Sequence, residues 1–388
     1  EAAGLGGDAA PELVGMRGRM VHEASGATVF QPYGQRAGEI VHAVSRARLT
    51  LMLVNAAARL DAITLRFGAR VTGVDAAEGC VEWMDEPADS KFSERASLVI
   101  GADGAGSVLR GQLASQGLLQ AREEPLAHAY RELEMPPAAD GGWMLEPHAL
   151  HIWPRRGHML IALPNPDRSF TATLFLPAAG PGGFAALEAS AAARAWFTTH
   201  YAEALALIPD FDEQWRQHPL GHLATLRCRP WQSGRVLLAG DAAHAIVPFH
   251  GQGLNCGFED CVLLADLAAG GADLDACFAA FERERLPNAD AIARMALENY
   301  LEMRDTVRDP RFAERKALAE RLERLHPGRF IPRYSMVMFH AGIPYAEALR
   351  RGALQERLLD ALLACGRTDP PDETLVHHWL DQAAPPAA

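Results

Sequence analysis

The sequence lacks the features that mark several common classes of protein. Its six cysteines are scattered without a CxxC pair or zinc-ligand spacing, which argues against a disulfide framework and a zinc module. No apolar run reaches the ~18 residues that a membrane-spanning helix needs, because the run near Val262 is interrupted by Asp266. Lysine and arginine number 37 against 49 acidic residues, a net charge of −12, so no basic groove for nucleic acid is expected.

What remains is a globular enzyme, expected in the cytoplasm without a membrane or nucleic-acid partner. The chain has 388 residues, of which 49% are hydrophobic, so it can bury a large core and is long enough for two structural units. Nothing in the sequence indicates an oligomeric state.

A formal dinucleotide-binding motif lies near the start, where residues 4–9 read GLGGDA and fit G-x-G-x-x-A. That motif functions between a preceding strand and a following helix. Only three residues precede it here, and Pro11 follows closely. We therefore interpret it as an accidental match.

Hydrophobic patterning predicts an α/β arrangement in two separated parts of the chain. Residues 45–60 repeat apolar side chains at helical spacing after Ser45, a possible cap, and residues 63–67 alternate as in a strand. Residues 98–100 and 236–239 are short apolar runs, each followed by a glycine turn. Both runs are typical of buried strands in a nucleotide-binding βα unit.

The region between these parts is predicted to be a β-sheet, and the carboxyl-terminal region to be helical. Three alternating apolar segments are separated by turn residues, which indicates a meander. They cover residues 148–153, 158–163 and 170–176. After about residue 283 the pattern predicts helices, apart from a loop around Tyr334.

The strongest chemical signal is GDAAH at residues 240–244, which follows an apolar strand and precedes GQGLN at residues 251–255. An acidic side chain at the carboxyl end of a strand can accept a hydrogen bond from a ribitol hydroxyl. The N–H groups at the next helix start favour a phosphate or an electron-rich flavin edge. The alternative is an ordinary strand, turn and helix with a capping aspartate; we favour a flavin site.

GADGAGSVLR at residues 101–110 and GDAAHAIVPFHGQGLNCGFED at residues 240–260 resemble two motifs of the class A flavoprotein monooxygenases. The resemblance implies the p-hydroxybenzoate hydroxylase fold, an α/β architecture in which a Rossmann-like FAD-binding domain is interleaved with a β-sheet substrate domain and followed by helices. It also implies FAD as cofactor and NADPH as co-substrate. The implied cofactor-binding residues are Arg46, Asp103, Gly104, Gly240, Asp241, Pro248, Gly251, Gln252, Gly253, Leu254 and Asn255.

A narrower resemblance, to the kynurenine 3-monooxygenases, covers nearly the whole chain. It rests on segments such as MRGRMVH, QPYG, LEPHALHIWP, LPNADAIA, LENYLEMRD and IPRYSMVMFH. The resemblance implies that L-kynurenine is hydroxylated to 3-hydroxykynurenine with NADPH and O2, a step of tryptophan degradation. That family opens with a strand and a GxGxxG helix, and this sequence is expected to start after them. The chain also resembles the bacterial members, which lack a membrane-anchoring tail.

By the same resemblance, the domains interleave along the chain. The FAD-binding domain would occupy residues 37–125 and 228–305, and the substrate-binding sheet domain residues 13–36 and 126–227. A helical region would follow over residues 306–388.

Kynurenine joins an aniline ring to an α-amino acid, so its site needs an apolar slot and a clamp for a carboxylate. The resemblance assigns the clamp to Arg19, Tyr33, Asn299 and Tyr334, whose guanidinium and neutral donors suit a carboxylate. It assigns the slot to one threonine and five apolar residues, among which Met159 and Ile161, and Thr173 and Phe175, are two apart on a strand. These are Leu150, Met159, Ile161, Thr173, Phe175 and Phe249.

Some roles stay open. Residues 289–304 would form a helix with Asn299 on an apolar stripe, so its amide needs either the substrate or nearby backbone as a partner. His250 either reaches the ketone or amine of the substrate or has no role. His244 and His250 lack a further ligand at a usual spacing, so no metal site is predicted. No side chain is expected to act as a strong acid or base.

Two rival functions are compatible with the same motifs. The chain could be another class A aromatic hydroxylase, which would share GADGAGS and GDAAH but not the four clamp residues. It could also be a flavin-free binding protein of the same fold.

Overall fold

The computed structural model describes residues 3–271, 273–306 and 310–383. The strands, in chain order, are β1 (Leu13–Met16), β2 (Gly18–His22), β3 (Thr28–Pro32), β4 (Val41–Val44), β5 (Ala69–Asp75), β6 (Cys80–Asp85), β7 (Ser90–Arg95), β8 (Val99–Gly101), β9 (Gln120–Met135), β10 (Ala149–Arg155), β11 (His158–Pro164), β12 (Phe170–Pro177), β13 (Gly221–Arg229), β14 (Gln232–Ser233) and β15 (Val236–Leu238).

The helices follow the same numbering. They are α1 (Gly6–Ala9), α2 (Arg46–Ala57), α3 (Val108–Ser115), α4 (Ser190–His200), α5 (Ala202–Leu205), α6 (Phe211–Gln217), α7 (Asp241–His244), α8 (Gly253–Ala269), α9 (Leu274–Leu301), α10 (Pro310–Leu325), α11 (Arg333–Phe339), α12 (Tyr345–Cys365) and α13 (Glu373–Ala383). Short 3-10 turns lie at Ala10–Glu12, Phe184–Ala186 and Pro248–His250, and a π-helical turn at Glu302–Thr306.

A seven-stranded sheet in the order β13-β9-β12-β11-β10-β2-β3 forms the largest layer. Its centre is the predicted meander, which is confirmed by the antiparallel pairing of β10 with β11 and of β11 with β12. Alternate residues of each strand face opposite sides. One side packs against α4, α5 and α6 in a core that includes Trp153, Phe197 and Trp215. The other side is free to line a pocket.

A smaller sheet in the order β14-β15-β8 carries both glycine turns. Strands β15 and β8 are parallel, so their carboxyl ends lie at the same edge. Val236, Leu237 and Leu238 are fully buried against α3, α8 and α9, as predicted. The prediction of a buried strand over residues 98–100 is only partly right, because β8 lies at the sheet edge and Ile100 is 50% exposed.

Three local predictions near the start have different outcomes, and the first, a helix after Ser45, is confirmed in part. The helix at residues 45–60 ends at Ala57 and buries no residue, and Ser45 makes no capping bond from its side chain. No strand forms over residues 63–67, where the alternating side chains are exposed, because no described strand pairs with this segment. The interpretation of GLGGDA as an accidental match is confirmed, because Gly6–Ala9 form the short helix α1 and no described strand precedes it. The first strand after residues 63–67 is β5, which belongs to the antiparallel sheet β5-β6-β7.

Helices fill the carboxyl-terminal region, as predicted. The 28-residue α9 runs through Pro287 and packs against α8 and α12. The expected loop around Tyr334 is wrong, because this residue lies in α11, which begins directly after Pro332. Among the described residues, none of the helices combines the length and the apolar composition that crossing a membrane takes.

Candidate active site

The floor of the candidate pocket is the face of the large sheet that α4 to α6 leave uncovered. Strand pairing places Leu150 beside Arg19, Ile161 beside Thr173, and Met159 beside Phe175. Directly paired residues point to the same side of a sheet. The five slot residues predicted on strands therefore share one face with Arg19. The expectation that each pair two apart lies on one strand face is confirmed.

The wall opposite this floor comes from the Pro248–His250 turn and the end of α9. The ring centroid of Phe249 lies 4.8 Å from that of Phe175 and 4.1 Å from that of Tyr300. Met303 is buried in the same cluster of side chains as Met159 and Phe249. The slot is thus closed by aromatic and thioether groups on the side opposite the sheet.

Asn299 has the backbone partner that remained an alternative from the sequence. Its Nδ2 donates to the carbonyl oxygen of Phe249 at 2.6 Å, and the residue is buried. The helical stripe predicted around it is confirmed, since Met295 and Met303 are buried on the same face. Asn299 therefore ties α9 to the turn that carries Phe249 and His250.

A polar end adjoins the slot, where side chains from four separate segments meet. The guanidinium carbon of Arg19 lies 5.8 Å from the ring centre of Tyr33 and 5.1 Å from that of Tyr334. The Tyr334 ring stacks on His250 with a centroid distance of 5.3 Å. Strand β2, the segment after β3, α11 and the 3-10 turn each supply one residue.

Two buried polar atoms at this end have no hydrogen-bond partner in the described part of the chain. They are Nε of Arg19 and Nδ1 of His250. A buried donor or acceptor without a partner costs roughly 1–3 kcal/mol, so such an atom is normally satisfied by water or by a ligand. Their position together indicates a site for a polar group of a ligand.

The electrostatics of the polar end favour an anion. Burial, followed by the charges of Arg19 and Arg333, lowers the pKa of His250 to about 4, so the imidazole is neutral at neutral pH. Burial also raises the pKa of Tyr33 and Tyr334, which remain O–H donors. Arg19 is the cation that a carboxylate would meet first.

Sequence reasoning missed two charged neighbours of this end. The carboxyl group of Glu302 interacts with Arg19, although burial raises the pKa of that carboxyl. Arg333 donates from Nη1 to Glu298 at 2.6 Å, which connects the residue before Tyr334 to the residue before Asn299. Helical spacing gave one available signal, because Glu302 follows Asn299 by three residues and therefore lies on its face.

The two glycine turns predicted to hold the cofactor come together at the edge of the small sheet. The Ala239 N–H donates to the Gly101 carbonyl at 3.0 Å, and Arg110 donates from Nη1 to the Ala242 carbonyl at 2.8 Å. Asp241 is exposed at this edge. Asp103 is also exposed at this edge, and its carboxylate accepts from the Ser107 hydroxyl and from backbone N–H groups at the start of α3.

The backbone of these turns is bare enough to admit a large cofactor. Gly104, Gly240 and Gly251 all have positive φ angles, and no atom lies within 4 Å of the place where a Cβ would stand. The first turn of α8 presents Gly253, and its cap residue makes no side-chain capping bond, so backbone N–H groups stay available. These features fit the pyrophosphate and the ring edge of FAD.

The remaining predicted residues have distinct positions. Pro248, Leu254 and Asn255 are exposed around the α8 start, whereas Gln252 is buried. The Gln252 Oε1 accepts from Asn255 at 3.0 Å and from the Tyr345 hydroxyl at 3.0 Å. Arg46 is exposed at the start of α2, in an open groove that it shares with Leu65 and Phe67. Within the described structure its side chain makes no hydrogen bond to the glycine turns.

No group of three or more candidate metal ligands occurs within the ranges that the structure covers. His244 bonds to Asp260 and not to a cluster that includes His250.

Comparison with known proteins gives a consistent result. Residues 17–296 match the family described as FAD binding domain. The chain is 48% identical to the kynurenine 3-monooxygenase of Stenotrophomonas maltophilia over 360 residues, which cover 92% of this chain and 79% of that protein. It is 44% identical to the kynurenine 3-monooxygenase of Myxococcus xanthus over 360 residues, covering 92% and 77%.

Solved structures share the fold at low sequence identity. A p-nitrophenol 4-monooxygenase from Pseudomonas putida superposes with a TM-score of 0.64 at 18% identity, covering 83% of this chain and 81% of that one. Klebsiella pneumoniae HpxO, complexed with FAD and uric acid, gives 0.60 at 20% identity, covering 82% and 80%. These likenesses establish the fold, and the much closer relatives above establish more: the chain belongs to the kynurenine 3-monooxygenase family of FAD-dependent flavoprotein monooxygenases.

Proposed function

We propose that the protein hydroxylates L-kynurenine to 3-hydroxykynurenine, consuming NADPH and O2 with FAD as cofactor. The observation that carries this proposal is the junction of an apolar slot with a buried cationic end that holds two unpartnered polar atoms. An aniline ring joined to a free amino acid has the matching polarity. The function of the family that the chain belongs to is the same.

Arg19 would bind the α-carboxylate of the substrate. Its planar guanidinium can give two parallel hydrogen bonds to a carboxylate, and the hydroxyls of Tyr33 and Tyr334 lie around it as neutral donors. Asn299 would act indirectly, because its bond to the Phe249 carbonyl holds the turn that carries Phe249 and His250.

The ring of the substrate would lie on the sheet face that carries Leu150, Ile161 and Thr173, next to the contact between the Phe175 and Phe249 rings. Since these groups leave little room for water, the reaction centre would be dry. No side chain is required as a strong acid or base, because the aniline nitrogen already activates the neighbouring ring carbon. The neutral imidazole of His250 would contact the ketone or the amine.

FAD would be held by the bare turns at Gly240 and Gly251, the exposed Asp241 carboxylate and the start of α8. When bound and reduced by NADPH, FAD would activate O2, so that one oxygen atom is placed on the ring and the other leaves as water. The protein supplies position and exclusion of water. All six cysteines are free thiols, which suits our proposal that the enzyme works in the reducing cytoplasm.

The test is NADPH oxidation by the full-length protein with FAD, with and without L-kynurenine, while 3-hydroxykynurenine is measured directly. We expect oxidation that depends on kynurenine and is coupled to that product. The decarboxylated analogue, which keeps the ring and the ketone, should bind far more weakly because it leaves Arg19 unpaired. Oxidation that yields only hydrogen peroxide with kynurenine would refute kynurenine as the substrate.

A further inference from the structure

A largely buried ionic network lies next to the Gly240 turn. Asp260 on α8 has no exposed surface and accepts three hydrogen bonds. Its Oδ2 accepts from the Gly240 N–H at 2.9 Å and from Nε2 of His244 at 2.7 Å, and its Oδ1 accepts from Nε of Arg285 at 2.7 Å. One carboxylate thus connects the turn, α7 and α9.

Arg285 extends the network on the side away from the turn. It donates from Nη2 to the Cys256 carbonyl at 3.0 Å, in the first turns of α8, and from Nη1 to Glu259 at 2.6 Å. The guanidinium therefore holds α8 and Asp260 in one orientation. Only Glu259 among these partners reaches solvent.

The protonation states agree with this geometry. Burial alone would lower the pKa of His244, but the bond to Asp260 outweighs it and raises that pKa to about 10. Burial likewise opposes ionisation of Asp260, whereas His244 and the Gly240 N–H hold its pKa below the ordinary value. The network contains an imidazolium, a carboxylate and a guanidinium at neutral pH.

The turn above this network has a conformation that needs external support. Gly240 has φ 58° and ψ −143°, a region that only glycine visits readily, and its N–H is bonded by the Asp260 side chain. Its carbonyl oxygen accepts from the N–H groups of Ala243 and His244 in α7. The direction in which the next residue, Asp241, leaves the turn is therefore set by the peptide that Asp260 holds.

Stability alone does not account for such a network. Replacing buried ion pairs by apolar groups of similar size is often neutral or stabilising, because the cost of removing charges from water is large. The helices α8 and α9 already share an apolar core with the small sheet. The feature that apolar packing cannot supply is an acceptor aimed at one backbone N–H.

We infer that Asp260, fixed by His244 and Arg285, is a positioning residue that holds the Gly240–Asp241 turn in the shape that binds FAD. The inference rests on the proposed function only in taking FAD as the ligand of this turn. It concerns neither kynurenine nor the pocket on the large sheet. Binding of FAD without substrate therefore tests it separately.

The experiment compares FAD binding by full-length Asp260→Asn with that of the parent, by fluorescence titration of the apoprotein and by visible circular dichroism of the bound flavin. Asparagine keeps the size but presents an amide N–H₂ to donors. We expect the Kd for FAD to rise at least tenfold and the flavin dichroism to change. Apoprotein unfolding is measured in parallel, and affinity is expressed per folded molecule.

The matched control is Asp290→Asn. Asp290 lies on α9, as Arg285 does, and like Asp260 it has two cationic partners, here Arg227 and Arg229. Unlike Asp260, it is partly exposed and makes no bond to the Gly240 turn. We expect its FAD affinity and flavin spectrum to equal those of the parent. A loss as large as that of Asp260→Asn would show that any aspartate–arginine pair near α9 matters, and would overturn the inference.

Arg285→Lys covers the case in which Asp260→Asn does not accumulate as folded protein. Lysine keeps the charge but cannot hold Asp260 and the Cys256 carbonyl together, so the Kd for FAD should rise about three- to tenfold. Parental affinity and parental flavin dichroism in a folded Asp260→Asn, or in Arg285→Lys if only that variant folds, would overturn the positioning role. If FAD binding responds as expected but kynurenine is not hydroxylated, only the proposed substrate is wrong.

Discussion

Two buried polar regions of the molecule use charge in opposite ways. Around Asp260, each carboxylate oxygen is bonded, and the network is closed to solvent except at Glu259. Around Arg19, the guanidinium Nε and the neighbouring His250 Nδ1 lie buried without a partner in the described structure. The first region is complete in the protein alone, whereas we propose that the substrate completes the second. Changes in the first should therefore act on stability and cofactor, and changes in the second on substrate.

The largest expected effect is on stability. Arg285→Ala leaves the Asp260 carboxylate buried with one cationic partner, and we expect the free energy of unfolding to fall by about 3–5 kcal/mol. Urea unfolding of the two proteins measures this. The control is Arg315→Ala, which removes partly exposed pairs with Glu356 and Asp360 and should cost no more than about 1 kcal/mol. Equal losses would remove the contrast between buried and exposed pairs.

The second expected effect is on substrate binding, with little effect on stability. Arg19→Ala should weaken kynurenine binding by roughly 2–5 kcal/mol, the usual cost of removing one member of a buried charge pair, while leaving unfolding nearly unchanged. Calorimetric titration with kynurenine checks the first part. Arg17→Ala, two residues earlier and exposed, is the matched control and should bind normally. A variant at position 19 that binds as tightly as its parent refutes the clamp.

The third expected effect is on stability as a function of pH, which should differ between the two regions. The pKa of His250 is lowered to about 4, so between about pH 6.5 and 4 the unfolded chain binds a proton that the folded chain does not. As the pH falls through that window, this histidine therefore lowers the free energy of unfolding by at most on the order of 3 kcal/mol. His22 and His158 act in the same direction.

The contribution of His244 to stability depends on pH in the opposite direction. Because its pKa is raised to about 10, its contribution is complete below about pH 6.5 and is lost as the pH rises toward 10. Thermal unfolding from pH 4 to 10 should show that His250→Gln flattens the acid side and His244→Gln the alkaline side. The same change on both sides in either variant would contradict the assignment of charge.

The smallest expected effect is at the tyrosines. Tyr334→Phe removes one neutral donor beside Arg19 but keeps the stacking on His250, so substrate binding should weaken by about 0.5–1.5 kcal/mol. The Michaelis constant for kynurenine should rise while the rate of flavin reduction without substrate stays unchanged. A rise in the Michaelis constant together with a comparable fall in the rate of flavin reduction would indicate damaged folding instead.

Local patterns predicted the parts of the site that lie within single elements. Alternation in the meander placed Met159 and Ile161 on one face, and helical spacing placed Asn299 on its stripe. The backbone partner of Asn299 depended on how α9 meets the 248–250 turn, which local spacing does not contain. Similarly, Asp260 and Arg285 are 25 residues apart and meet only because α8 packs on α9.

The strand predicted at residues 63–67 does not form, for a related reason. Alternation of apolar residues identifies a chain that could pair, but pairing needs a neighbouring strand that no local pattern reports. Asp103 illustrates the same limit for a side chain, because the same carboxylate suits a cofactor hydroxyl or a helix cap. In the structure its oxygens are used by α3.

The two-sided large sheet also bears on how such an enzyme can change its substrate over time. Leu160 belongs to the core under α4 to α6, while its neighbour Ile161 lies on the pocket face. A substitution at Ile161 or Thr173 can therefore reshape the slot while the supporting core stays intact. This separation would let selection explore new ring shapes one residue at a time, with little loss of fold along the way.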